Sequence, residues 1–189
     1  NKAVDVYTQN KQFFFNYGVK EDQLLFPPHP IDNSGFIDLD GLYEEKAKKW
    51  RQQLGIDPGE LVIVYAGKLE PIKNLEWLIQ AIRETPGLRV KLIIAGNGPL
   101  EKTLKQQAAG DERFLFIDFQ NQQMMPVVYR LGEVFILCSH SETWGLSINE
   151  AMACGRAILA STTTGCTADL VINDVNGYVF NLSDKNDLT

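Results

Sequence analysis

Several things are scarce in this 189-residue sequence, and each scarcity removes a class of protein. No run approaches the roughly 18 apolar residues of a membrane-spanning helix, and no secretory leader pattern opens the chain. Histidine occurs only at His29 and His140, and Cys138, Cys154 and Cys166 form no CxxC pair. A His/Cys metal site is therefore not expected, and the odd cysteine count argues against a disulfide framework. Small buried thiols in a reducing, cytoplasmic compartment are the expectation. Basic residues are outnumbered, 18 Lys and Arg against 24 Asp and Glu, for a net charge of −6. Nucleic-acid binding needs a basic face, which this balance does not supply. It gives no reason to expect a membrane surface either. Internal repeats and low-complexity segments are also missing.

What is present is ordinary for a globular protein: 44% apolar and 22% charged residues, enough for one cored domain with or without an appendage. The first 35 residues read as a connector. They hold a short alternating stretch, Ala3 to Tyr7, and an aromatic segment, Lys11 to Tyr17, closed by Gly18. An extended run follows at Leu24-Leu25-Phe26, and then Pro27-Pro28-His29-Pro30, which forces non-helical backbone.

A charged helix is expected over Leu42–Leu54, and from there the pattern alternates. Strands are predicted at Leu61–Ala66, Arg89–Ala95, Arg113–Phe119, Val134–Cys138, Ala157–Ala160 and Tyr178–Phe180. Helices are predicted between them at Asn74–Thr85, Pro99–Ala109 and Met124–Leu131, and again after Glu142. Strands alternating with ten-residue helices define βαβ units, hence a Rossmann-like α/β domain with a parallel sheet and helices on both faces. Runs such as Val62-Ile63-Val64 and Leu92-Ile93-Ile94 suit strands buried on both sides.

Three loops fall at the carboxyl edge of that sheet, where open α/β folds bind ligands. The first is Gly67-Lys68-Leu69-Glu70-Pro71-Ile72-Lys73-Asn74. Asn74 suits the N-cap position, which puts Lys73 where the helix dipole disfavours a cation unless an anion shares the place. Two solvated lysines are the alternative. The second loop, Gly96-Asn97-Gly98-Pro99, places Pro99 at the first helical position. It resembles a dinucleotide fingerprint with Asp118 at the distance of a ribose-binding acid, but Glu101 occupies the third glycine position. A tight structural turn is the preferred reading of this loop. The third, Ser139 to Ser161, carries Glu142 in a bend and Glu150 in a helix. The amides of Trp144, Gly145 and Leu146 lie at that helix's start. Ser147-Ile148-Asn149-Glu150 also fits a capping box, in which Glu150 merely closes the helix start.

Taken together, Glu142-x7-Glu150, the following Ala151-Met152-Ala153-Cys154-Gly155, the Lys68–Lys73 loop, Gly96-Asn97-Gly98-Pro99 and Asn176-Gly177 resemble the pattern of group-1 (family 4) retaining glycosyltransferases of the GT-B type. The resemblance runs from about Asp32 to Asp187, with Pro30-Ile31-Asp32 similar to that family's interdomain segment. It implies one half of a GT-B fold: residues 1–35 as the interdomain connector or remnant of an N-terminal domain, and 36–189 as the donor-binding domain. It implies a nucleotide-diphosphate sugar as donor substrate, no metal and no other cofactor. A glycan or lipid-linked acceptor, and any membrane association, would be handled by the missing domain. By the same resemblance Lys68 and Lys73 hold the diphosphate leaving group, and Glu142 faces the donor sugar and its developing oxocarbenium charge. Glu150 takes the ribose hydroxyls with one oxygen while the other serves the helix start. Gly67, Gly96, Gly98 and the amides of Trp144, Gly145 and Leu146 line the donor.

The sequence departs from the family at Phe119-Gln120-Asn121, near the base, and at Arg156, where proline is frequent. The chain reads as a donor-binding half that stops at Ser183–Thr189, where a helix should start. Such a half is expected to bind nucleotide without useful transfer. Two other readings compete. One is a non-catalytic nucleotide-binding module; the other is a nicotinamide-dependent oxidoreductase resting on Gly96, Gly98 and Asp118.

Overall fold

The computed structural model describes residues 3–4, 8–25, 32–85, 87–184 and 187. The sequence readings at Asp5–Tyr7, at Phe26–Ile31 (which includes His29 and Pro30) and over most of the last five residues lie outside them.

The main body is a run of strands and helices whose bounds follow the apolar runs. Helix α2 (Leu42–Gln53) leads in, followed by β3 (Leu61–Ala66), α3 (Leu75–Glu84), β4 (Val90–Ala95), α4 (Glu101–Gln107) and β5 (Phe114–Ile117). Then come α5 (Met125–Tyr129), β6 (Val134–Leu137), α6 (Leu146–Ala153), β7 (Ala157–Ser161), α7 (Thr167–Leu170) and β8 (Gly177–Phe180). Six strands form one parallel sheet in the order β5-β4-β3-β6-β7-β8, with β3 in register on β4 from Leu61↔Val90 to Ala66↔Ala95. The chain starts in the middle, works outward to one edge, then returns and works outward to the other. That is the Rossmann strand order, and its switch point lies between β3 and β6.

Right-handed crossovers put the helices of the two halves on opposite faces. Helix α3 packs beside α4, and α2 packs on α5, which touches α6. Because successive strand residues point to opposite faces, the complete burial of Leu92, Ile93 and Ile94 shows that β4 is covered on both sides. Helix α3 turns Leu75, Leu78, Ile79 and Ile82 into the core, each stabilising the fold by about 1.5–3 kcal/mol. At its N-terminus α2 is capped by two acids: Asp40 accepts from the Leu42 amide, and Asp38 accepts from those of Tyr43 and Glu44.

A smaller unit precedes this body. Strand β1 (Ala3–Val4) and strand β2 (Leu24–Leu25) pair in parallel through α1 (Thr8–Asn16), forming a separate two-stranded sheet. Gly18, with φ 80°, follows α1 as the sequence suggested. The unit touches the main body where the Thr8 amide and hydroxyl donate to Asp169 of α7.

Two local expectations are corrected, and one element is new. Asn74 does precede α3, but with φ 59° its side chain makes no capping bond. Helix α4 begins at Glu101, so Pro99 lies in the turn before it and not at its first position. Four-residue α7 carries no periodic signal and was not anticipated.

Candidate functional site

The loops after β3 and β6 meet over the switch point and are tied there by backbone. The His140 amide donates to Ile72 O (2.9 Å), and the Cys138 thiol donates to Lys73 O (3.2 Å). Beyond β6 the bend at Glu142 is pinned to the end of β7. Glu142 N donates to Thr163 O, and Gly165 N donates back to Glu142 O at 2.9 Å. Gly165 is required for that contact, because a Cβ there would stand 2.0 Å from Thr143 O.

This backbone frame brings two predicted side chains together. Lys73 Nζ donates to Glu142 Oε2 at 2.5 Å, with the side chains 21% and 22% exposed. The lysine that the helix dipole left unfavourable thus has a carboxylate partner from a different strand's loop. Lys68 is placed otherwise. Its side chain is 77% exposed, 3.9 Å from Glu70, and available to a ligand. Its backbone is fixed from below, where the buried Tyr65 hydroxyl donates to Lys68 O at 2.7 Å. Burial, together with Cys138, Glu142 and Glu70, pushes the Tyr65 phenol well above its ordinary range, so it remains a donor.

The glycines do two jobs. Leu69 N donates to Asn97 O and Leu100 N to Leu69 O, so the loops after β3 and β4 lie flat against each other. A Cβ on Gly96 would meet Gly67 O at 1.9 Å, and one on Gly98 would meet Leu69 O at 2.5 Å. Gly98 therefore serves as the tight structural turn. Gly96 and Gly67 also line a cavity of about 390 Å³ with Lys68, Phe119, Gln120 and Glu150. Asp118 is exposed and is not among the residues lining that cavity; the acid there is Glu150.

Glu150 is not engaged at the helix start. Gly145, at φ 98°, is the residue before α6, so Ser147 lies inside the helix and the capping box does not form. Both carboxylate oxygens are held from the side: the Tyr129 hydroxyl donates to Oε2 at 2.6 Å, and Gln122 Nε2 donates to Oε1 at 3.0 Å. Trp144 packs into the core and its indole N–H donates to Asn149, while Leu146 is half-exposed at the first turn of α6. There the Ile148 amide turns back to Gly145 O (2.9 Å), and the amides before it have no acceptor earlier in the helix.

Tyr65, Tyr129 and Gln122 were not anticipated from the sequence. A tyrosine inside an apolar strand or helix reads as a core aromatic, and nothing local marks its hydroxyl. The three cysteines are buried, their thiols pushed up by that burial to about 12, 11 and 12 for Cys138, Cys154 and Cys166. Thiols so placed are inert, as expected. Among the described residues no group of His, Cys, Asp and Glu is arranged to hold a metal, and no helix is long and apolar enough to cross a membrane.

A doubly wound sheet whose carboxyl edge gathers lysines, carboxylates and a helix start, with a cavity beside them, has the form in which open α/β folds bind ligands. Comparison with known proteins makes this specific. The family model for glycosyl transferases group 1 matches residues 46–189, and the chain belongs to that family. The D-inositol 3-phosphate glycosyltransferase of Mycobacteroides abscessus is 30% identical over 135 residues, covering 68% of this chain and 30% of that protein. The crystal structure of Anabaena HepE in complex with UDP superposes with a TM-score of 0.81 at 23% identity, over 99% of this chain and 51% of that one. The C-terminal domain of a group 1 family protein, LpcC, from Francisella tularensis gives a TM-score of 0.68 at 22% identity, covering 84% of each chain. The chain thus spans about a third of the curated Mycobacteroides relative and about half of the HepE chain.

Proposed function

We propose that this chain is the C-terminal, donor-binding domain of a retaining, family 4 glycosyltransferase of the GT-B type. The whole enzyme would move a sugar from a nucleotide-diphosphate donor to a glycan or lipid-linked acceptor in the cytoplasm. The observation that carries this reading is the convergence at one sheet edge. The Lys73–Glu142 pair lies over the switch point, and Lys68 and Glu150 share the rim of the neighbouring cavity.

Each residue then has a task. The base and ribose enter the cavity, with the ribose hydroxyls on Glu150. Lys68 and Lys73 meet the diphosphate, where negative charge grows as the bond to the sugar breaks. Glu142, beside Lys73, faces the sugar and the positive charge that develops on its ring. The acceptor oxygen bonds to the sugar carbon from the side the diphosphate leaves as the carbon–diphosphate bond breaks, and the acceptor's proton passes to the departing phosphate. With two lysines and the amides around Gly145 on the diphosphate, the chemistry needs no metal. That HepE is described with UDP supports a nucleotide-sugar donor here.

The small β1–α1–β2 unit supports the domain reading. A parallel pair of two-residue strands has little stability alone. Its helix leaves Phe13 53% exposed, and Tyr17 in the turn after it is 75% exposed, as in a βαβ unit separated from the rest of its sheet. We read residues 1–35 as that remnant and connector, and 36–189 as the donor domain.

A thermal-shift panel of UDP, GDP, ADP and NADH tests the proposal. A nucleoside diphosphate at 100 times its dissociation constant stabilises by about 2.7 kcal/mol. A shift with one diphosphate, none with NADH and no sugar transfer by this chain alone are the expected results. A shift with NADH alone would overturn the reading in favour of an oxidoreductase.

A further inference from the structure

Glu150 has two partners of opposite character, and the difference between them assigns a task to each. Tyr129 is buried, at the end of α5, with its ring edge-on to Phe135 (5.3 Å between centroids, 77°) and tilted against Phe36 (6.2 Å, 54°). Two aromatic neighbours leave that ring one place to be, and its hydroxyl is spent on Glu150 Oε2. Gln122 is exposed, on the loop between β5 and α5, and lines the cavity together with Glu150. Tyr129 does not line it.

A carboxylate offers about four lone-pair positions, two on each oxygen. A vicinal diol donates two hydrogen bonds and is best received with one on each oxygen of a fixed carboxylate plane. Tyr129 fixes that plane and leaves a position on Oε2 free; Gln122 occupies one on Oε1 from the ligand's side. We infer that Tyr129 is a positioning residue that sets the Glu150 carboxylate to receive the ribose 2′- and 3′-hydroxyls, and that the Gln122 amide fills the place of one hydroxyl until ribose displaces it. This rests on the proposed role of Glu150. Buried beside Glu150, the phenol is held well above its ordinary range and stays protonated, so it donates throughout the working pH range.

The test separates the two layers. Calorimetric titration of the chain uses whichever of UDP, GDP or ADP binds, together with its 2′-deoxy and 3′-deoxy forms. Replacing Glu150 with glutamine (Glu150→Gln) should weaken ribonucleotide binding about tenfold and abolish the preference over deoxy forms, the worth of a charge-assisted hydrogen bond. If the preference survives Glu150→Gln, the reading of Glu150 falls and the inference with it. Tyr129→Phe keeps the ring, and an unchanged melting temperature checks the fold. It should cut the ribose preference about threefold to fivefold in the parent and have no such effect in a Glu150→Gln background. Gln122→Ala should leave ribonucleotide affinity unchanged or slightly raised. A Tyr129→Phe variant that weakens ribo and deoxy forms equally, or acts the same without Glu150, would show a purely structural tyrosine and overturn the inference. A several-fold loss of ribonucleotide affinity in Gln122→Ala would overturn the displacement.

Discussion

The Lys73–Glu142 pair makes a prediction opposite to the usual expectation for a site residue. If the lysine binds diphosphate, then in the empty site its charge is already engaged by Glu142 at 2.5 Å. A diphosphate must compete for it. The Coulomb energy of two unit charges at that separation is about 1.7 kcal/mol at the screening of bulk water and about 7 kcal/mol at an effective dielectric near 20. Desolvation offsets most of the larger figure for a pair about one-fifth exposed, leaving a net of about 1–2 kcal/mol. Glu142→Gln keeps the shape and removes the charge, so free nucleoside diphosphate should bind about fivefold to thirtyfold more tightly, less so at high salt. Lys73→Met should weaken it tenfold or more. Removing a carboxylate also relieves plain repulsion with phosphate, so the decisive quantity is the double-mutant cycle. Most of the gain from Glu142→Gln should vanish in the Lys73→Met background. Calorimetry reads all four affinities. An equal gain with and without Lys73, or a loss in the single Glu142→Gln variant, would refute the competition.

Two further outcomes follow from the frame. Gly96→Ala should lower the melting temperature by several degrees and abolish nucleotide binding, because the new methyl meets Gly67 O at 1.9 Å and φ is 143°, a left-handed value; a variant that melts and binds like the parent would show that the loops can separate freely. In acid, stability should fall through the titration of Asp38 and Asp111. Burial pushes the Asp38 carboxyl up, but the amides of Glu44 and Tyr43 and the Arg130 guanidinium outweigh it and hold the group below its ordinary 3.8. The Arg113 side chain holds Asp111 below that value as well. A folded-state value below the unfolded one contributes stability above the unfolded pKa and loses it as pH falls, so urea midpoints should be flat above about pH 5 and drop below it. Asp38→Asn should destabilise at pH 7 and progressively less as pH falls below the unfolded value of 3.8; an effect that does not shrink in acid would contradict the assignment.

Much of this fold could be read from the sequence because its strands are short apolar runs with turns between them, and a strand buried on both faces leaves that mark whatever its neighbours are. The carboxyl-edge loops followed from the strand ends. Side-chain engagement did not. Ser147 and Glu150 have the spacing of a capping box, yet the helix start was fixed two residues earlier by Gly145 at positive φ. Glu150 went instead to a tyrosine 21 residues away on another helix, a pairing with no local trace. Asn74 was read as a cap from residue type, but its left-handed backbone turns the side chain from the helix amides. At Gly96 and Gly98 the close approach that glycine permits is made by the backbone of the loop after β3, in keeping with a tight structural turn, while Gly96 also lines the cavity.

That contact divides the edge into two halves with different prospects under selection. The half that carries the lysines is welded: Gly67 N donates to Ala95 O and Leu69 N to Asn97 O, Tyr65 is anchored beneath, and one added methyl group on Gly96 has nowhere to go. The opposite wall of the cavity, Phe119 to Gln122, hangs from the end of β5 with its residues largely in solvent. Substitutions, and even changes of length, are tolerated far more readily there. On the proposed function, a lineage built on this frame would exchange the base it accepts by rewriting four residues while the means of holding phosphate is inherited unchanged.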